Sequence, residues 1–214
     1  MKRILITTML ILLITITFSE LANAKVELDK NICNDILKQT GVDVRNFTDL
    51  LEISQIVDLK LNTWVKGFGG LHDNDFPSAE KKNEIKNTLS LKMTLRYMDG
   101  LVCTLKIAKF KNYNDSKLAW CDSSPRLPQP HQVFSTKLFS GESIPNSEIK
   151  ILAPECECYS NAYIFYKNWL CILSFVTGER KIQPQNTFDF INKSDHKKID
   201  ELIKKIINII DKIN

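Results

Sequence analysis

Between Leu89 and Tyr97 the chain alternates without a break. Leu89, Leu91, Met93, Leu95 and Tyr97 are apolar, and Ser90, Lys92, Thr94 and Arg96 between them are polar. A period of two sends one set of side chains into a core and leaves the other in water, the mark of an antiparallel strand. Beyond Asp99 and Gly100 a second stripe follows: Leu101, Cys103, Leu105 and Ile107. A two-residue Asp-Gly turn would pair Met98 with Leu101 and throw the two stripes onto opposite faces. A three-residue loop over 98–100 instead pairs Tyr97 with Leu101, Leu95 with Cys103, Met93 with Leu105 and Leu91 with Ile107. That register buries both stripes together and puts Gly100 where a bulged turn needs a left-handed residue. A second hairpin is predicted from Tyr159–Tyr166 and Trp169–Val176 around Lys167 and Asn168. It is apolar on both faces, so its strands belong in the middle of the sheet, between two layers.

Helical spacing marks the two ends. Ile32, Ile36 and Leu37 predict a short helix from Asp29 to Gln39, stopped at Gly41. Over Asp49–Leu61 the pattern reads as helix and then strand, with Ile53 and Gln55, then Val57 and Leu59, alternating. Ser78 ahead of Ala79 and Glu80 reads as the N-cap of an exposed helix to Lys86, without the usual Glu or Gln at the third position. At the C-terminus Ile199, Leu202, Ile203, Ile206, Ile210 and Ile213 form one stripe of a long amphipathic helix from Ser194 or Asp195 to Ile213. Its predicted role is to cover the sheet rather than to bind a membrane. Residues 112–155 are rich in Asn, Asp, Ser and Pro and read as loop, with one strand over Gln132–Phe139. The fold class is therefore α+β: an antiparallel sheet of about six strands, including two clear hairpins, flanked by N-terminal helices and the C-terminal helix.

Composition changes the picture mainly at the N-terminus. Lys2 and Arg3 precede an uncharged run from Ile4 to Phe18, and Ala22-Asn23-Ala24 forms a small-residue cleavage site before Lys25. This is the order of a secretory signal peptide, and the run is shorter than the roughly 20 residues that span a bilayer. The expectation is a leader over 1–24 and one domain over 25–214. Removing Lys2, Arg3 and Glu20 takes the formal charge from +4 to +3. So mild a charge argues against nucleic acid, and against a membrane once the leader is cleaved. The cleavage site and the heavy use of Ile, Lys and Asn suggest an AT-rich bacterium, hence the periplasm or the medium. In a eukaryotic secretory pathway Asn46, Asn114 and Asn192 would be glycosylation sequons.

All six cysteines, Cys33, Cys103, Cys121, Cys156, Cys158 and Cys171, lie beyond the leader, and an even count in an exported chain suggests disulfides. In the second hairpin Cys158 falls near Thr177, roughly 20 Å from Cys171, against a Cα limit of about 7 Å for a bridge. Cys171 is expected to pair with Cys103 instead, leaving Cys156 and Cys158 to take Cys121 and Cys33 in either order.

Candidate chemistry is sparse. The segment Lys66–Asp75 has three glycines followed by His72, Asp73 and Asp75, where a histidine beside carboxylates suits a general base or a metal ligand. Its glycine spacing fits neither the dinucleotide fingerprint nor the phosphate loop. His131 and His196 lie far from it in sequence, and the three histidines match no zinc spacing. Cys156-Glu157-Cys158 has one residue too few for the redox motif and reads as two structural disulfide ends. No nucleophile elbow or HExxH is present. The sequence thus favours a secreted or periplasmic binding protein, of inhibitor, immunity or accessory type, with another protein as partner and no cofactor or resident metal. Its alternatives are a secreted hydrolase using His72 in the 66–75 loop, and a thiol redox or metal-binding protein using Cys156 and Cys158.

Overall fold

The computed structural model describes residues 29–49, 53–64, 76–97, 101–120, 133–152, 159–176 and 193–213. The expected leader, the expected 66–75 loop and 98–100 turn, His131, and Cys121, Cys156 and Cys158 lie outside the described residues. The elements in chain order are α1 (Lys30–Thr40), α2 (Arg45–Asp49), β1 (Ile53–Thr63), α3 (Ala79–Asn87), β2 (Leu89–Tyr97) and β3 (Val102–Lys109). They continue with α4 (Tyr113–Ala119), β4 (Val133–Ser135), β5 (Ser147–Leu152), β6 (Tyr159–Tyr166), β7 (Trp169–Val176) and α5 (Lys193–Ile213).

The strands form one antiparallel sheet of seven, in the order β1-β2-β3-β7-β6-β5-β4. In the first hairpin Leu95 pairs with Cys103, Met93 with Leu105 and Leu91 with Ile107. The Tyr97 amide donates to the Leu101 carbonyl at 2.9 Å. Burying both stripes at once was therefore the right criterion for the register. In the second hairpin Tyr166 pairs with Trp169 and Ile164 with Cys171, and Lys167 takes the turn with φ 54°. Its strands are interior to the sheet and buried on both faces over 162–166 and 169–173, while Asn161 and Ser174 are part-exposed.

One face of the sheet carries the main core. Leu91, Met93, Leu95, Cys103, Leu105, Ile107, Cys171, Leu173 and Phe175 pack against the α5 stripe and against Cys33, Ile36 and Phe47 of the N-terminal helices. Helix α1 is capped at both ends as its sequence dictates. The Asp29 carboxylate accepts from the Asn31 amide, and Gly41 closes the helix at φ 73° with its amide on the Leu37 carbonyl. Ser78 caps α3 by accepting from the Lys81 amide.

Several expectations need correction. Ile32 is 52% exposed, because α1 buries the face carrying Cys33 and Ile36. The helix expected near Asp49 lies earlier, at Arg45–Asp49. Register shifts between Ile53 and Gln55 and between Ile56 and Asp58 turn Val57 outward and Ile56 and Leu59 inward. The 112–155 region holds α4 and β5, and its expected strand over 132–139 shrinks to β4. Beyond β4, Leu138 and Gly141 close a turn that Asp200 of α5 anchors. Its buried carboxylate accepts from the amides of Phe139 at 2.9 Å and Ser140 at 2.8 Å.

The predicted bond between Cys103 and Cys171 is absent: Cys33, Cys103 and Cys171 are buried free thiols. Cys103 stands opposite Phe175 and Cys171 opposite Ile107 on adjacent strands. That offset of four residues is about 13 Å at ~3.3 Å per residue, well past the ~7 Å limit. Both side chains do point into apolar surroundings, and there they serve as small hydrophobes. Burial pushes the Cys103 thiol up to about 12, helped by the Asp195 charge, and raises Cys171 and Cys33 as well.

Candidate functional site

The second face of the sheet is covered unevenly. At one end α3, α4, Trp64 and Phe76 pack a smaller core of Ile85, Ala108, Phe110, Ala119, Phe165, Leu170 and Ile172. The Trp64 indole donates to the Ala119 carbonyl at 3.1 Å and meets Phe110 edge-on. Toward the other end, Lys92 and Arg96 are exposed, and Thr94, Thr104, Asn161 and Ser174 are part-exposed although four strands of the sheet interior carry them. Among the described residues, no helix lies over this half of the face.

The register lays these polar residues out in rows. One row crosses five strands as Asp58, Thr94, Thr104, Ser174 and Asn161, each directly opposite the next. Within it the Ser174 hydroxyl donates to the Asn161 side-chain oxygen at 2.6 Å. The neighbouring row reads Lys60, Lys92, Lys106, Ile172, Tyr163 and Lys150. Three lysines thus face one another across β1, β2 and β3, with strands about 4.8 Å apart. Like charges placed directly opposite destabilise a sheet.

The three lysines are handled differently. Lys60 is exposed and pairs with Asp58 at 3.0 Å. Lys92 is exposed. Lys106 is 6% exposed; its ammonium donates to the Trp64 carbonyl and sits 4.2 Å from the centroid of the Trp64 ring. Burial, reinforced by the Lys92 charge, lowers its pKa to about 8.

On β5, next to the edge strand, a second charged group ends the row. Glu148 on β5 accepts from Lys117 at 2.6 Å and from the Tyr113 hydroxyl at 3.0 Å, and pairs with Lys150 at 3.0 Å. Burial pushes its carboxyl up, but these three donors outweigh it and hold the group at about 2. The Lys150 ammonium lies 4.0 Å from the Trp120 ring centroid, and Lys117 lies 4.1 Å from that of Phe165.

Of the residues singled out from sequence, His72, Asp73 and Asp75 lie outside the described residues, between the buried anchors Trp64 and Phe76. The described cysteines all belong to the opposite face, and His196 stacks on Phe139 with ring centroids 4.3 Å apart. Among the described residues, no group of three or more His, Cys, Asp or Glu is placed to hold a metal. The lysine row was missed, although the register carried the signal: pairing Met93 with Leu105 also pairs Lys92 with Lys106. No family model, curated protein or solved structure matches this chain.

Proposed function

We propose that the chain is an exported, non-enzymatic binding protein whose recognition surface is the part-exposed polar half of the second sheet face. The observation that carries the reading is the row Thr94, Thr104, Ser174 and Asn161: hydroxyl and amide groups held part-exposed on rigid interior strands. A sheet interior of this kind ordinarily buries apolar groups against a second layer. Polar side chains there suit a surface that stays wet until a partner covers it, and interface rims of non-obligate complexes have this polar character. The partner is a protein of the periplasm or the medium, reached after cleavage before Lys25.

The test blocks the face without touching the core. Thr104→Trp and Ser174→Trp are expected to abolish retention of the protein that co-purifies with the wild-type mature chain. Lys197→Trp on the exposed side of α5, where the side chain is 83% exposed, is expected to leave retention intact. Equal retention by all three variants would overturn the reading. His72→Ala with Asp75→Ala is expected to complement a deletion strain in full, whereas failure to complement would favour the hydrolase.

A further inference from the structure

We infer that the partner presents carboxylates to this face, and that Lys60 and Lys92 form the subsite that receives them. The inference rests on the binding reading above and names the chemistry of what binds. Its starting point is the cost of the row itself. Lys60, Lys92 and Lys106 stand directly opposite one another on adjacent strands; Asp58 offsets Lys60 and Trp64 takes the Lys106 ammonium, and Lys92 stands between two like charges. An anion laid across β1 and β2 turns that repulsion into attraction, because one carboxylate then serves two ammonium groups.

The arrangement around the row selects among anions. Asp58 pairs with Lys60 on the edge strand β1, and Glu148 on β5 pairs with Lys117 and Lys150. Ile172 and Tyr163 interrupt the row between Lys106 and Lys150, so it is not the unbroken basic track that a continuous polyanion such as nucleic acid or heparin needs. An anionic bilayer would meet the same interruption. A protein surface with a few spaced carboxylates needs no such track. The adjoining row of Thr94, Thr104, Ser174 and Asn161 supplies donors and acceptors for the polar groups that flank those carboxylates.

The test uses the mature chain and a synthetic peptide of alternating Glu and Thr with blocked ends, titrated calorimetrically at two salt concentrations. Binding is expected, weaker at the higher salt. Lys60→Gln and Lys92→Gln are each expected to weaken it about two- to fivefold, the range for exposed ion pairs. Unchanged thermal melts would confirm that these surface variants fold. No binding of the peptide, or binding indifferent to both substitutions, overturns the inference. Tighter binding of heparin, or of vesicles containing phosphatidylglycerol, than of the peptide also overturns it. The two readings fail separately. If Thr104→Trp blocks the natural partner and the lysine substitutions do not weaken its binding, the face stands and the carboxylate falls. If neither matters, both fall.

Discussion

Replacing Lys106 with Met is expected to make the protein more stable near neutral pH, and the gain should fade as the pH is raised. Burial lowers this lysine from 10.5 to about 8, so its charge is less favourable in the folded state than in the unfolded chain. At about 1.4 kcal/mol per unit, the penalty is about 3 kcal/mol wherever both states are protonated, that is, below about pH 8. Met keeps the aliphatic stem that Lys106 packs against Trp64 and removes the charge. It also strips the Trp64 carbonyl of its ammonium donor, which costs about 1–3 kcal/mol if nothing replaces it. The balance is a net stabilisation of about 1 kcal/mol for Lys106→Met at neutral pH. Between about 8 and 10.5 the folded wild-type protein has released this proton while the unfolded chain keeps it. The unfolded state then binds more protons, so wild-type stability rises with pH relative to the variant. Urea unfolding of both proteins at neutral and alkaline pH reads the difference directly. A variant clearly less stable than wild type at neutral pH, with a gap that does not change on raising the pH, would refute the argument. It would mean that the ammonium is held by more favourable charge than burial removes.

Three further outcomes follow from the same contacts. Asp200→Ala should cost about 2–4 kcal/mol in urea unfolding, because the Phe139 and Ser140 amides both lose a charged acceptor; Asp200→Asn, which keeps one oxygen, should cost clearly less. The Glu148 carboxyl, held at about 2, contributes stability that is present above about pH 4.5 and lost as the pH falls toward 2. With its side chain 35% exposed, the contribution is less than ~1 kcal/mol, and the urea-midpoint gap between wild type and Glu148→Gln should close over that acid range. Cys33, Cys103 and Cys171 should resist a thiol reagent in the native state and react on unfolding, as peptide mapping after labelling would show; rapid native labelling of Cys103 would contradict its burial.

The parts of the fold legible in the sequence were those fixed by nearby residues. The two hairpin registers followed from alternation and loop length, and the stop at Gly41 and the Ser78 cap from residue type. Helix α5 followed from a single uninterrupted stripe. Helix α4 was hidden because its capping residue, Asn112, and its own Asn114, Asp115 and Ser116 are the residues that mark turns. Strand β5 does alternate, with Ile149 and Ile151 buried, but over six residues amid Pro and Ser the signal is short. Lys106 looked like an ordinary solvent-facing position in the alternation of β3. What buries it is Trp64, which is distant in sequence, and no local pattern reports that encounter. The same holds for the part-exposed polar row, whose members come from β2, β3, β6 and β7 and meet only through the strand order. The proposed Cys103 bond failed for a related reason: both thiols point to one apolar face, but only the pairing of β3 with β7 sets their offset along it.

The strand order also governs the sequence of events as the chain acquires its structure. Residues 53–109 can assemble β1-β2-β3 from neighbours, and residues 133–176 can assemble β4 to β7 in the same way, since each of those pairings joins strands close in sequence. The two halves meet along one seam, β3 against β7, where Cys103 pairs with Phe175 and Lys109 with Trp169. Closing it brings together positions dozens of residues apart, a loop-entropy cost that slows folding. The stripe of α5 then seals the face the seam has completed. As the chain is made N-terminus first, no seam can form until residue 169 and beyond are available, and no seal until α5 is. The first half-sheet must therefore wait with its β3 edge unpaired, a template for mispairing until β7 arrives.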